Sequence, residues 1–175
     1  MKHSAFDLGE HLRLREVSYK VSPLLWEKWD LGIDLSFKNW TNIKYLNQEG
    51  DDFHHDIDKV PNDKGGLYMF YVKCNTISGI TEFPFYIGRA QLTDNQNLRK
   101  RVREYFTKFA KENERPKITT MFKYWSKELN LAFIALNENF EIVDIEKKLI
   151  NSLLLPMNDE IPDKEIKQSV KAFQL

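Results

Sequence analysis

The chain has 175 residues, 42% of them hydrophobic and 30% charged, an ordinary balance for one globular domain with a real core. Its 26 basic and 26 acidic side chains give a formal net charge of zero, so global charge gives no reason to expect nucleic-acid binding, and any such footprint must be local. The one cysteine, Cys74, excludes an intrachain disulfide and a cysteine zinc cluster, and nothing approaches the roughly 18 apolar residues of a membrane span. Met1 to Val17 carry no apolar signal-peptide core, which predicts a cytoplasmic protein with no membrane partner.

Residues 1–60 hold Trp26, Trp29 and Trp40 and end in an acidic, polar stretch from Glu49 to Asp58. They are expected to form a mainly helical extension packed on a second unit, residues 61–175. Val60 to Gly66 reads as a loop and turn. Leu67 to Val72 is an unbroken apolar run, as in a strand covered on both faces, and Phe85-Tyr86-Ile87 is a second short strand ended by Gly88. Leu98, Val102, Tyr105, Phe106 and Phe109 recur at helical spacing, and Ile118, Met121, Phe122, Trp125 and Leu129 repeat the pattern. Leu131 to Leu136 predicts a third strand, Ile142 to Leu153 a helix, and a last helix runs from near Pro162 toward Phe173. The class is α+β, with a small antiparallel three-stranded sheet flanked by helices.

Glu146 does not fit its helix. Ile142, Ile145, Leu149, Ile150 and Leu153 form the apolar stripe, and Glu146 lies within it, while Lys147, Lys148, Asn151 and Ser152 supply the wet face. An inward carboxylate needs a compensating charge, because desolvating it alone costs several kcal/mol. A bound cation or an arginine would serve, or the side chain snorkels to water. Arg101 opens an amphipathic helix and shares a face with Tyr105. From Arg99 to Lys123, nine basic residues stand against three acidic ones. This is either a local phosphate-binding footprint or a solvated helix face. Within it Arg99, Lys100, Arg103, Lys108 and Lys117 are candidate DNA contacts. Tyr68 and Tyr86 fall on the two paired strands, where tyrosines are ordinarily core. His54 and His55 beside Asp56 and Asp58 invite a metal reading, but adjacent histidines in a loop are ordinarily exposed.

In order, these residues resemble the GIY-YIG nuclease family. Gly66-Leu67-Tyr68 is similar to its first name-giving element and Tyr86-Ile87-Gly88 to its second. The following helix carries Arg101 where the family has a catalytic arginine. Glu146 matches the metal-binding glutamate of a later helix, and Asn158 in Pro156-Met157-Asn158 matches an asparagine after a proline-containing turn. The likeness spans roughly residues 65–160. Leu67 replaces isoleucine, Arg89 stands where repair members have lysine, and Tyr105 stands where homing and some restriction members have histidine.

The resemblance implies a DNA endonuclease in which Glu146 holds one Mg²⁺ or Mn²⁺ and Arg101 binds the scissile phosphate. It assigns Tyr68 as the first candidate for general base, with Tyr86 supporting it and Asn158 positioning the site. Arg89 and Tyr105 are supporting residues, and Arg89 with the metal is expected to lower the pKa of Tyr68, because nearby cations favour the phenolate. A small stand-alone chain fits a restriction or defence enzyme, with a repair or recombination nuclease second. A non-catalytic DNA-binding module and a protein-interaction domain are the readings from other classes. One such site cuts one strand, so double-strand cleavage would require a homodimer or two sequential events.

Overall fold

The computed structural model describes residues 4–77 and 80–172. Among these, helices α1 (Ala5–Leu14) and α2 (Pro23–Glu27) precede strand β1 (Thr41–Lys44), then β2 (Gly65–Lys73) and β3 (Glu82–Ala90). Helices α3 (Leu98–Ala110) and α4 (Pro116–Trp125), strand β4 (Leu129–Leu136), and helices α5 (Asn139–Leu153) and α6 (Lys164–Ala172) complete the chain. The fold is α+β. No helix among the described residues is long and apolar enough to cross a membrane. Phe173, where the last helix was expected to point, lies outside the described residues.

The sheet is antiparallel throughout, in the order β1-β4-β2-β3, so it has four strands where three were expected. The extra strand comes from the segment expected to be mainly helical. Thr41-Asn42-Ile43-Lys44 has one apolar residue, and as an edge strand it buries only Ile43, which pairs with Leu131. Two boundaries also moved. Leu129 starts β4 rather than closing α4, and β3 runs through Gly88 to Ala90.

The continuous apolar run of β2 is explained by its central place, with a helical layer on each face. On one face Tyr68, Phe70, Tyr86, Leu131 and Phe133 pack against α3 and α4 through Val102, Tyr105, Phe106, Met121 and Phe122. On the other, Leu67 and Ile87 meet Ile142, Ile145, Leu149 and Ile150 of α5. Gly65 and Gly66 are required where these layers close. A Cβ on Gly66 would fall 2.1 Å from the Ile134 carbonyl oxygen, and one on Gly65 would fall 2.8 Å from that of Ala90.

Residues 41–60 supply part of the first core, through Ile43, Tyr45, Leu46 and Ile57, with the Tyr45 hydroxyl donating to the Val102 carbonyl at 2.6 Å. Of the three tryptophans, Trp40 packs on the α5 side and donates to the Leu35 carbonyl, whereas Trp26 is 50% exposed. A fragment of residues 61–175 would lose β1 and these core side chains, each worth roughly 1.5–3 kcal/mol when fully buried. Limited proteolysis is therefore expected to release no stable 61–175 fragment. A folded fragment of that length, with its own cooperative melt, would contradict this.

Candidate active site

Register places the tyrosines. Tyr68 of β2 pairs with Gly88 of β3, and Phe70 pairs with Tyr86, so both phenols project from the α3 face. A bulge between Phe70 and Tyr71 is absorbed at Phe85. Tyr105, one turn after Arg101 on α3, reaches down between them. Its hydroxyl lies 2.7 Å from that of Tyr68 and 2.9 Å from that of Tyr86, which makes one chain of three buried phenols. Gly88 makes the chain sterically feasible, because a Cβ there would sit 2.6 Å from the Tyr68 hydroxyl.

Two arginines flank this chain, Arg101 over its middle ring and Arg115 over its Tyr86 end. Arg101 stacks over the Tyr105 ring at 5.3 Å and donates to the Glu104 carboxylate at 2.9 Å, and Gln96 donates to the other Glu104 oxygen at 2.8 Å. Burial alone would raise the Glu104 carboxyl, but the Gln96 and Arg101 donors hold it below its ordinary value. Arg115, at the start of α4, lies over the Tyr86 ring at 5.5 Å. Neither Glu104 nor Arg115 was singled out in the sequence. Glu104 was recoverable, because it lies three after Arg101 on one helical face. Arg115 carried no signal beyond membership of the basic run.

Glu146 and Arg89 approach from the opposite face. Arg89 pairs with Leu67 in the sheet and therefore shares the α5 face. Glu146 is 9% exposed, and its Oε2 accepts a hydrogen bond from Arg89 Nη1. The inward glutamate thus has an arginine as its partner, one of the compensations its position in the stripe called for. Burial raises its carboxyl above the ordinary value, against the charges of Arg89 and Arg101. The two faces meet at the β3 edge, in a cleft of about 400 Å³ lined by Tyr68, Tyr86, Arg89, Gln96, Arg101 and Glu146.

Asn158 secures that edge. Its Nδ2 donates to the Ile87 carbonyl at 2.8 Å and its Oδ1 accepts from the Ile87 N–H at 3.0 Å, while Met157 N–H donates to Phe85. The carboxamide thus takes the place of a neighbouring strand at one residue. Leu154, in the left-handed region at φ 46°, ends α5 and turns the chain toward it.

The structure modifies two expectations about the tyrosines and the basic run. Burial is the main influence on Tyr68 and pushes its phenol far above 10, with Tyr86 adding to the rise; Arg101, rather than Arg89, is the opposing cation. Of the basic residues, Arg99 donates to the Val60 and Asp58 carbonyls and Arg103 stacks on the Phe53 ring at 4.3 Å, so both are engaged in holding residues 53–60. Lys100 donates to the Asn95 carbonyl, and Lys108 is exposed. Lys117 lies by the site, donating to the Asn158 carbonyl at 3.2 Å.

The donor set suits a hard divalent cation. Glu146 Oε1 has no hydrogen-bond partner among the described residues, and its residue lines the cleft. One carboxylate with waters and phosphate oxygens is how Mg²⁺ is commonly held. Elsewhere, donor atoms of His54, His55 and Asp56 lie within 4.8 Å of one another, but Lys59 already pairs with Asp56 at 2.6 Å. Two imidazoles and a carboxylate suit a transition metal rather than Mg²⁺.

Comparison with protein-family models, curated proteins and solved structures returns no match.

Proposed function

We propose that the protein is a divalent-metal-dependent endonuclease that hydrolyses phosphodiester bonds in DNA, of the kind its resemblance to GIY-YIG nucleases implies. The observation that carries this reading is the convergence at one sheet edge of three linked phenols, three arginines and a buried carboxylate with a free oxygen. Phosphodiester hydrolysis calls for a proton acceptor near an attacking water, fixed positive charge on the phosphoryl oxygens, and stabilisation of the leaving oxygen. Bound at Glu146, Mg²⁺ or Mn²⁺ would supply Lewis acidity to the phosphate. Arg101, held by Glu104 and the Tyr105 ring, is positioned to grip the phosphate. Tyr68 would accept the water's proton as its own passes to Tyr105 and that of Tyr105 to Tyr86, which releases one to solvent in the next cleft that it also lines. Asn158 holds β3, and through it Tyr86 and Arg89, in place.

A restriction or defence role is the preferred setting, with repair or recombination next. The Arg89–Glu146 ion pair favours one alternative, a non-catalytic DNA-binding module in which arginine has permanently replaced the metal. Incubation with plasmid and branched DNA in Mg²⁺ or Mn²⁺, followed by mapping of the ends, decides among these. Binding without cleavage in any metal would support the module, and absence of both binding and cleavage would leave an interaction domain.

Tyr68→Phe removes one oxygen and little volume. It is expected to preserve folding and DNA binding and to slow single-turnover cleavage by at least about 10²-fold. Because burial holds the phenol protonated, the wild-type rate should climb with pH through the neutral range, and that climb should flatten in the variant. Tyr86→Phe should be comparable or milder. Near-normal rates in Tyr68→Phe would remove it as the base.

A further inference from the structure

Beyond the wall formed by Tyr86, Arg89 and Glu146 lies a second cleft of about 300 Å³, which Arg115, Lys147, Asn158, Asp159 and Glu160 also line. The two clefts share those three wall residues and so lie side by side, on either side of them. A DNA strand carries a phosphate about every 3.4 Å along its axis, so the neighbours of a phosphate held at Arg101 must be accommodated. Arg115 is prepared for this. Its guanidinium, charged throughout the ordinary pH range, lies over the Tyr86 ring at 5.5 Å and lines the cleft with its planar fork.

Asp159 already marks the position of an anion there. Its carboxylate accepts from Arg115 Nη1 at 3.3 Å and lies 3.7 Å from Lys117 Nζ, so two cations converge on it, while Arg115 Nε also lies 3.5 Å from Glu114 Oε1. The pairs are partly exposed, with Arg115 side-chain accessibility at 43% and Asp159 at 33%, and an exposed pair of this kind is readily exchanged for a stronger, bidentate phosphate partner.

We propose that Arg115, assisted by Lys117 and Lys147, forms a second phosphate subsite that holds a non-scissile phosphate of the DNA strand, and that Asp159 occupies it until DNA arrives. The subsite rests on the nuclease reading and deepens it. Arg115 is a substrate-binding residue here, whereas Arg101 belongs to the scissile phosphate.

The test measures equilibrium binding of a 40-base-pair duplex and a four-way junction in Ca²⁺ over a range of KCl concentrations, with cleavage followed separately in Mg²⁺. Arg115→Ala is expected to weaken binding about tenfold and to reduce the slope of log affinity against log salt by roughly 0.9, the loss of one phosphate contact. Asp159→Asn, which removes the competing anion and keeps the side-chain shape, is expected to tighten binding. An Arg115→Ala protein that cleaves DNA with wild-type affinity and salt slope overturns the subsite and leaves the nuclease reading intact. Weakened binding with an unchanged slope also overturns it, because Arg115 would then act only by supporting Tyr86. If Arg115→Ala fails to fold, Asp159→Asn decides, and unchanged or weaker binding in that variant overturns the subsite. A wild-type protein that neither binds nor cuts DNA removes the nuclease reading and the subsite together.

Discussion

Glu146→Gln is expected to abolish cleavage while leaving the protein folded and, at neutral pH, at least as heat-stable as the wild type. Burial raises the Glu146 carboxyl above its ordinary value despite the charge of Arg89. The folded state therefore holds that proton more tightly than the unfolded chain. The stability this contributes is fully present below the unfolded value and is lost as pH rises through the folded one. At neutral pH the ionised side chain thus costs stability, and an amide of the same shape avoids the cost while still accepting from Arg89. Thermal melts should show any gain in the variant shrinking as pH falls into the carboxylate range. Added Mg²⁺ should raise the melting temperature of the wild type only, because a ligand at about 100 times its Kd stabilises by roughly 2.7 kcal/mol. Cleavage that persists in Glu146→Gln, or in the wild type with EDTA, would refute the metal role.

Arg101→Ala should lower turnover by about 10²- to 10³-fold, the usual effect of losing one preorganised donor at a developing charge. DNA affinity should change much less, because the interaction is stronger in the transition state than in the bound substrate. The structure gives a reason for this preorganisation. Glu104 and the Tyr105 ring hold the guanidinium from two directions, and Gln96 holds Glu104 in turn. Arg101→Lys keeps the charge and loses the planar fork, so it should recover only part of the rate. Single-turnover kinetics beside binding isotherms separate the two effects. A variant altered only in affinity would make Arg101 an ordinary phosphate contact.

Much of this arrangement was legible in the residues because it depends on periodicity. The buried run of β2, the stripes of α3 and α4, and the inward position of Glu146 all follow from spacing along one element. What was hidden depends on contacts between elements. Strand β1 has one buried residue and no alternation that would distinguish it from a loop. The engagement of Arg99 and Arg103 with residues 53–60 cannot be counted from charge, since a basic residue looks the same whether it faces phosphate or a backbone carbonyl. The upward shift of the Tyr68 phenol follows from complete burial under α3, a tertiary property. Arg115 meets Tyr86 only because α4 begins beside β3.

The carboxamide of Asn158 has a consequence for self-association. A sheet edge with unpaired N–H and C=O groups is a template on which another chain can add a strand. Strand β1 limits that hazard at its end of the sheet by being four residues long. At the other end β3 is nine residues long and faces the cleft, where a full neighbouring strand would block access. Bonding Ile87 to a side chain and Phe85 to the Met157 N–H closes those ladder positions and leaves Gly88 and Arg89 reachable. Loss of the Asn158 side chain would therefore reopen a docking edge for a second molecule, and the defect should appear as concentration-dependent aggregation as well as lost activity.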